Sequence, residues 1–194
     1  QREIETRALY TLTNRLTDAF DMPDIAAIAC STISDVICER ACCLCFDENG
    51  MPESTFIQHV SKERQIRREV ADPQAVLHRI EGLRTGCDIG TEFYDWPIYG
   101  REGTLGIIRI PSEHAQALTE SQVRLLRSMI ESIALAMDRF RSSQVRMRSR
   151  EETERERYRS NLLRSISHDL RTPLSGILGA TEMLAGMTDK EDQR

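Results

Sequence analysis

Two apolar seams in the C-terminal part of the chain constrain its fold more than any other feature. Thr119-Glu120-Ser121-Gln122 is a capping box that opens a helix. Behind it Val123, Leu126, Ile130, Ile133, Met137, Phe140, Gln144 and Met147 alternate at three and four residues, which is a heptad spacing. The upstream part of this seam must cover a neighbouring sheet. From about Phe140 only another chain remains to pack on, which predicts a parallel dimer. The seam then fades into charge, and a second one appears at Leu163, Ile166, Leu170, Pro173, Ile177, Ala180 and Leu184. Continuing the first register would put Asn161 and Ser165 on the seam, so the two are out of phase. The slip leaves two readings open: a local change of supercoiling that passes rotation or shear along the helix, or a simple adapter.

The 194 residues are enough for one domain with helical extensions but not for two domains with independent cores. No apolar run approaches about 18 residues, so no bilayer span is expected. The start, Gln1 to Glu5, reads as the middle of a charged helix and not as a secretory signal, so the chain reads as a piece of something longer. Charge is unevenly spread. Residues 1–138 carry 14 basic and 22 acidic side chains, residues 139–159 carry 8 and 4, and residues 160–194 carry 4 and 5. The arginine-rich connector interleaves Glu151, Glu152, Glu154 and Glu156 and has Tyr158 as its one stacking aromatic beyond the seam residue Phe140. It therefore reads as a solvated helix with pairs such as Glu151 and Arg155, and no nucleic-acid partner is expected.

Six cysteines stand at 30, 38, 42, 43, 45 and 87. The run from Cys38 to Cys45 lacks the separated pairs of a structural zinc site, and Cys42 and Cys43 point to opposite faces if Ala41 to Phe46 is a strand. Cysteine as a small core residue is the simpler reading, with Cys87, in a glycine-bounded loop, the one to test for reactivity. His59, His78 and His114 are scattered, and no metal site is expected.

Upstream, Leu9, Leu12, Leu16 and Ala19 predict an amphipathic helix over residues 3–20, able to pack against a copy of itself. Asp21 to Asp24, with Pro23, begins a second helix. Ala41 to Phe46 and Ser54 to Val60 read as strands joined by the Asp47-Glu48-Asn49-Gly50 turn, and Gln65 to Val70 is ambiguous between strand and helix. Asp72-Pro73 opens a helix ending near Gly82. Phe93 to Tyr99 and Thr104 to Ile110 form the strongest hairpin, closed by Pro111. The sum is an α+β fold, an antiparallel sheet with helices on one face. This order, with "LGIIRIP" before a long exit helix, resembles a GAF domain over residues 21–140. The resemblance implies a sensory module whose ligand, if any, it does not name.

The register of the second seam assigns Ile166 to d and Leu170 to a, which puts His168 at f, furthest from the packing seam. Asp169 adjoins it, and Thr172 lies at i+4. An exposed histidine beside a carboxylate can act as a nucleophile when its neighbour orients the ring and takes its proton. Ser167-His168-Asp169-Leu170-Arg171-Thr172-Pro173-Leu174 resembles the H-box of two-component sensor histidine kinases, and the match extends through "ERYRSNLLRSISHDLRTPLSGILGATEML". The HD form of the box behind a GAF-like domain is similar to the Kdp-type, potassium-responsive kinases.

That resemblance implies a phosphoacceptor role for His168, with Asp169 as its acid/base helper. It implies that Thr172 positions water for dephosphorylating the regulator, that Arg171 supports the box, and that Pro173 bends the helix, a bend its missing N–H explains. The implied organisation is an N-terminal dimerisation or linker helix (1–20), a GAF-like sensory domain (21–118), an exit helix and coiled-coil linker (119–159), and the first helix of a HisKA dimerisation and phosphoacceptor domain (160–194). Only 26 residues follow His168, leaving no room for an ATP-binding domain, so this piece is expected to bind no ATP and to be inactive alone. In the whole protein the resemblance implies Mg-ATP as phosphoryl donor, a homodimer, a response-regulator partner, and a place in the cytoplasmic region of a bacterial inner-membrane protein. Two alternatives stay open: a ligand-binding or redox-sensing GAF domain of a different histidine kinase, and a dimerisation scaffold with no phosphotransfer.

Overall fold

The computed structural model describes residues 2–37, 40–61, 64–83 and 86–191. Cys38 lies outside them. The chain divides into two compact units, residues 1–143 and 144–194.

In the first unit local chemistry starts the helices where the sequence predicts. Asp21 accepts a hydrogen bond from the Asp24 N–H (2.8 Å) and caps α2 (Met22–Val36), with Pro23 in its first turn. Asp72 does the same for the Ala75 N–H (3.0 Å) ahead of α3 (Pro73–Ile80). Before them lies α1 (Arg2–Thr17), whose Leu12 and Leu16 are buried in this unit's own core and are not left open for a second copy.

Six strands form one antiparallel sheet: β1 (Cys42–Cys45), β2 (Thr55–Ser61), β3 (Arg64–Glu69), β4 (Asp88–Ile89), β5 (Phe93–Tyr99) and β6 (Thr104–Pro111), in spatial order β3-β2-β1-β6-β5-β4. The ambiguous stretch after Gln65 is strand because its backbone pairs with β2, Thr55 opposite Glu69 and Gln58 opposite Ile66. Two elements carry no periodic signal because they are shorter than a period can register: β4, and α4 (Ser112–Gln116).

Side chains alternate across each strand, so β1 feeds two cores. Cys43 and Cys45 join Trp96, Ile98, Ile108 and Ile110 in the main core beneath α1, α2 and the last helix. Leu44 faces the other way, with Phe46 and Ile107, against Val76 and Ile80 of α3. The expectation of helices on one face alone is therefore corrected: α3 covers the opposite face, because Leu44, Phe46 and Ile107 are apolar there too. At Gly106 the sheet allows no side chain, since a Cβ would stand 2.6 Å from the Leu44 carbonyl oxygen on the neighbouring strand.

Near α3, Asp95 and Arg109 face each other across β5 and β6 in a two-pronged ion pair, Nε to Oδ1 2.7 Å and Nη2 to Oδ2 2.8 Å. Arg79 of α3 reaches both Asp88 (3.2 Å) and Asp95 (3.6 Å). The guanidinium of Arg109 also sits 5.1 Å from the Phe93 ring centre and 6.0 Å from that of Phe56.

Helix α5 (Glu120–Glu191) begins at the expected capping box: the Thr119 N–H donates to Gln122 Oε1 (2.9 Å) and the Gln122 N–H donates to Thr119 Oγ1 (3.3 Å). Leu125, Leu126, Met129, Ile130, Ile133, Ala134 and Met137 are buried in the main core. In the second unit, the residues of α5 from 151 to 187 are all exposed, including Leu163, Ile166, Leu170, Ile177 and Leu184 of the second seam. Among the described residues no helix is long and apolar enough to cross a membrane.

Replacing Asp95 with alanine strands the Arg109 charge in a site where only 15% of its side chain meets solvent. The expected loss is about 3 kcal/mol, read as a lower urea midpoint at unchanged slope.

Candidate functional site

The H-box lies within α5, and the helix runs through Pro173 without a break. Proline has no N–H to offer the Asp169 carbonyl four residues back, so that acceptor is open. Exposure alone does not single out His168, because its neighbours on this helix are exposed as well. Phase does: seven residues separate Leu163, Leu170, Ile177 and Leu184, and His168 projects opposite that line.

The structure brings His168 and Asp169 together. The imidazole Nδ1 stands 3.3 Å from Asp169 Oδ1, with the two side chains 80% and 75% exposed. A carboxylate only accepts, so this contact selects the tautomer with its proton on Nδ1. The lone pair then sits on Nε2, at the far side of the ring. The pair is thus arranged for nucleophilic attack by Nε2, with a carboxylate placed to take the Nδ1 proton. Thr172 follows one helical turn beyond His168, and Arg171 precedes it by one residue.

A cleft of about 470 Å³ opens elsewhere, between α3 and the sheet in the first unit, lined by Phe56, Arg68, Arg79, Phe93, Asp95 and Arg109 among others. Its charged floor is the Asp95 and Arg109 pair, which sequence reasoning missed. Burial works against the Arg109 charge, but the hydrogen bonds and field of Asp95 outweigh it and hold its pKa above the ordinary arginine value. Simple hairpin counting back from Tyr99 opposite Thr104 sets Asp95 across from Ile108. An irregularity between Ile98 and Tyr99 shifts the register by one and brings in Arg109.

The cysteines belong to the core. The Cys30 thiol donates to the Ile57 carbonyl (3.2 Å). Contact with Cys30 raises Cys43 well above the ordinary thiol range; the opposing effect of Cys45 comes next, and burial adds to the rise. Contact with Cys43 and burial raise Cys45 likewise. Burial also pushes up Cys87, followed by the field of Asp88, which makes this thiol a poor candidate for reactivity. His78 is exposed beside Glu81 (3.4 Å), His114 stands beside Glu113 (3.4 Å), and His59 is buried in β2. Among the described residues no group of such side chains is arranged to hold a metal ion.

Residues 158–194 match the family model of the His Kinase A (phospho-acceptor) domain. The chain is 32% identical over 190 residues to the sensor protein KdpD of Clostridium acetobutylicum and 29% identical over 184 residues to that of Escherichia coli K12, each covering 94% of this chain. It spans about a fifth of the length of these relatives, 21% and 20%. In fold, it matches the GAF domain of the potassium sensor histidine kinase KdpD from Escherichia coli at a TM-score of 0.56 and 22% identity, covering 73% of this chain and 99% of that one. The GAF domain of an Acinetobacter phosphoenolpyruvate-protein phosphotransferase matches at a TM-score of 0.50 and 9% identity, over 71% and 94% of the two chains. The chain thus carries a GAF fold followed by a HisKA segment, and the resemblance to Kdp-type sensor kinases is borne out.

The raised thiols carry a pH consequence. Folded Cys43, Cys45 and Cys87 hold their protons more tightly than the unfolded chain does. Below the unfolded thiol pKa of about 8.5 the two states are protonated alike, and above it the unfolded state ionises first. Stability therefore falls as pH rises beyond that point, and urea unfolding compared at neutral pH and well above that pKa reads the loss.

Proposed function

We propose that this chain is the signalling middle of a Kdp-type sensor histidine kinase, in which the GAF unit relays a signal to His168 and His168 carries the phosphoryl group. The observation that carries this reading is the contact of Nδ1 with Asp169 on the helix face opposite the second seam. Nε2 of the neutral imidazole attacks the γ-phosphorus of ATP held by the ATP-binding domain of the whole protein. The N–P bond forms as the bond to the bridging oxygen breaks, ADP leaves with that electron pair, and Asp169 accepts the Nδ1 proton. The phosphoryl group then passes from His168 to an aspartate of a response regulator. Thr172, one turn on, positions the water that later hydrolyses the regulator's phosphoaspartate. Arg171 supports the box electrostatically, and Pro173 loosens the helix beneath it.

Leu163, Ile166, Leu170, Ile177 and Leu184 form the face through which two copies associate, and a change in packing or register between the two seams alters access to His168. A second reading, a GAF domain that binds a small ligand, draws on the cleft between α3 and the sheet, whose aromatic and charged lining suits a polar molecule with a flat apolar part.

In the whole kinase, ATP-dependent labelling with an acid-labile phosphoryl group is expected in the wild type and absent in His168→Gln. Asp169→Asn, which keeps the shape but accepts no proton, is expected to slow labelling by about 10²-fold. A labelled His168→Gln variant overturns the assignment.

A further inference from the structure

Where α5 leaves the core of the first unit, its apolar cover ends: Met137 is fully buried, and Phe140 is only partly so. Two charged side chains at that point grip the backbone of two different sheet turns. The Arg101 N–H, in the loop joining β5 to β6, donates to Asp138 Oδ2 (3.1 Å) and more weakly to Oδ1 (3.4 Å). Three residues on, Arg141 Nη2 donates to the carbonyls of Phe46 and Asp47 (3.0 Å to the latter), at the start of the turn joining β1 to β2.

Both turns are closed by hydrogen bonds of their own. Asp47 Oδ1 accepts from the Asn49 and Met51 N–H groups (2.8 and 2.9 Å), and the Asp47 N–H donates to the Met51 carbonyl (2.7 Å). The other loop is closed by the Gly100 N–H donating to the Gly103 carbonyl (2.8 Å). Space there is made for the carboxylate, since a Cβ on Gly100 would stand 2.5 Å from Asp138 Oδ1 and 2.7 Å from Leu105.

We propose that Asp138 and Arg141 are positioning residues, a pair of latches that tie the last core-bound turn of α5 to the tips of the β1–β2 and β5–β6 turns and so set the direction and phase in which the helix leaves the GAF unit. Without them the helix past Met137 keeps only the partial burial of side chains such as Phe140, and a displacement of either turn is no longer passed to it through a hydrogen bond. The regulatory part rests on the function proposed above, while the mechanical part does not.

The latches hold backbone atoms, which makes the test specific. In the full-length kinase in membranes, the ratio of His168 autophosphorylation to dephosphorylation of the regulator is measured for Asp138→Ala, Arg141→Ala, Gly100→Ala and Arg101→Pro, with Arg101→Ala as control. The first four are expected to shift the ratio by at least about fivefold. Arg101→Ala, which keeps the N–H, is expected to leave it unchanged. Ile110→Ala, a core truncation at the far end of β6 that lowers stability away from both latches, is expected to leave the ratio unchanged as well. A second readout is independent of phosphotransfer: the distance between spin labels at Glu53 and Val145 of one chain, diluted with unlabelled protein. It is expected to broaden in Asp138→Ala and Arg141→Ala. A wild-type distance distribution in both variants overturns the proposal whatever the kinase assay gives. Wild-type ratios in both, or an equal shift in Ile110→Ala, overturn its regulatory part. A label surviving His168→Gln counts against the phosphoacceptor assignment alone.

Discussion

The contact on which the rest of the first unit depends is the burial of one face of α5 against the sheet. Leu126, Met129, Ile133 and Met137 are fully enclosed, and they share a core with Leu12 of α1, Ile33 of α2 and Ile108 of β6. Each such side chain contributes about 1.5–3 kcal/mol relative to an exposed one, so this one face ties together elements from both ends of the unit. Because that face is buried as far as Met137, the rotation of α5 about its own axis is fixed over the stretch that lies on the sheet. A helix held only by propensity has no such reference.

Nucleophiles in this chain are sorted by environment. The thiols of Cys43 and Cys45 are intrinsically the better nucleophiles, yet burial and their contacts with other thiols keep their protons on and make them core residues. His168 is open to solvent and has a carboxylate 3.3 Å from Nδ1, which leaves Nε2 reachable. The same logic separates the carboxylates: Asp95 is enclosed and committed to Arg109, whereas Asp169 is open and paired with a group that can give it a proton. One is committed to a partner that is always charged; the other faces an imidazole in solvent.

Much of the fold is legible in local patterns. The aspartate caps at 21 and 72, the capping box at Thr119, the hairpin from Phe93 to Ile110 and the buried stretch of the first seam from Leu126 to Met137 depend on residues within a few positions of one another, and the structure has them where local pattern puts them. Less legible were β3 and β4, which are strands because of what they pair with, and the covering of the second sheet face by α3, which follows from Leu44, Phe46 and Ile107 pointing there together.

The adjacency of His168 and Asp169 and the phase that sets His168 opposite the seam were determined by the sequence itself, because one helix generates that geometry from spacing alone. Only the tertiary structure decided that Asp95 meets Arg109 and that Asp138 and Arg141 close on two turns, up to 95 positions away along the chain. Those contacts turn on a one-residue register shift and on how a helix lies over a sheet, and no local pattern carries either: periodicity states which face is buried, but not what it is buried against.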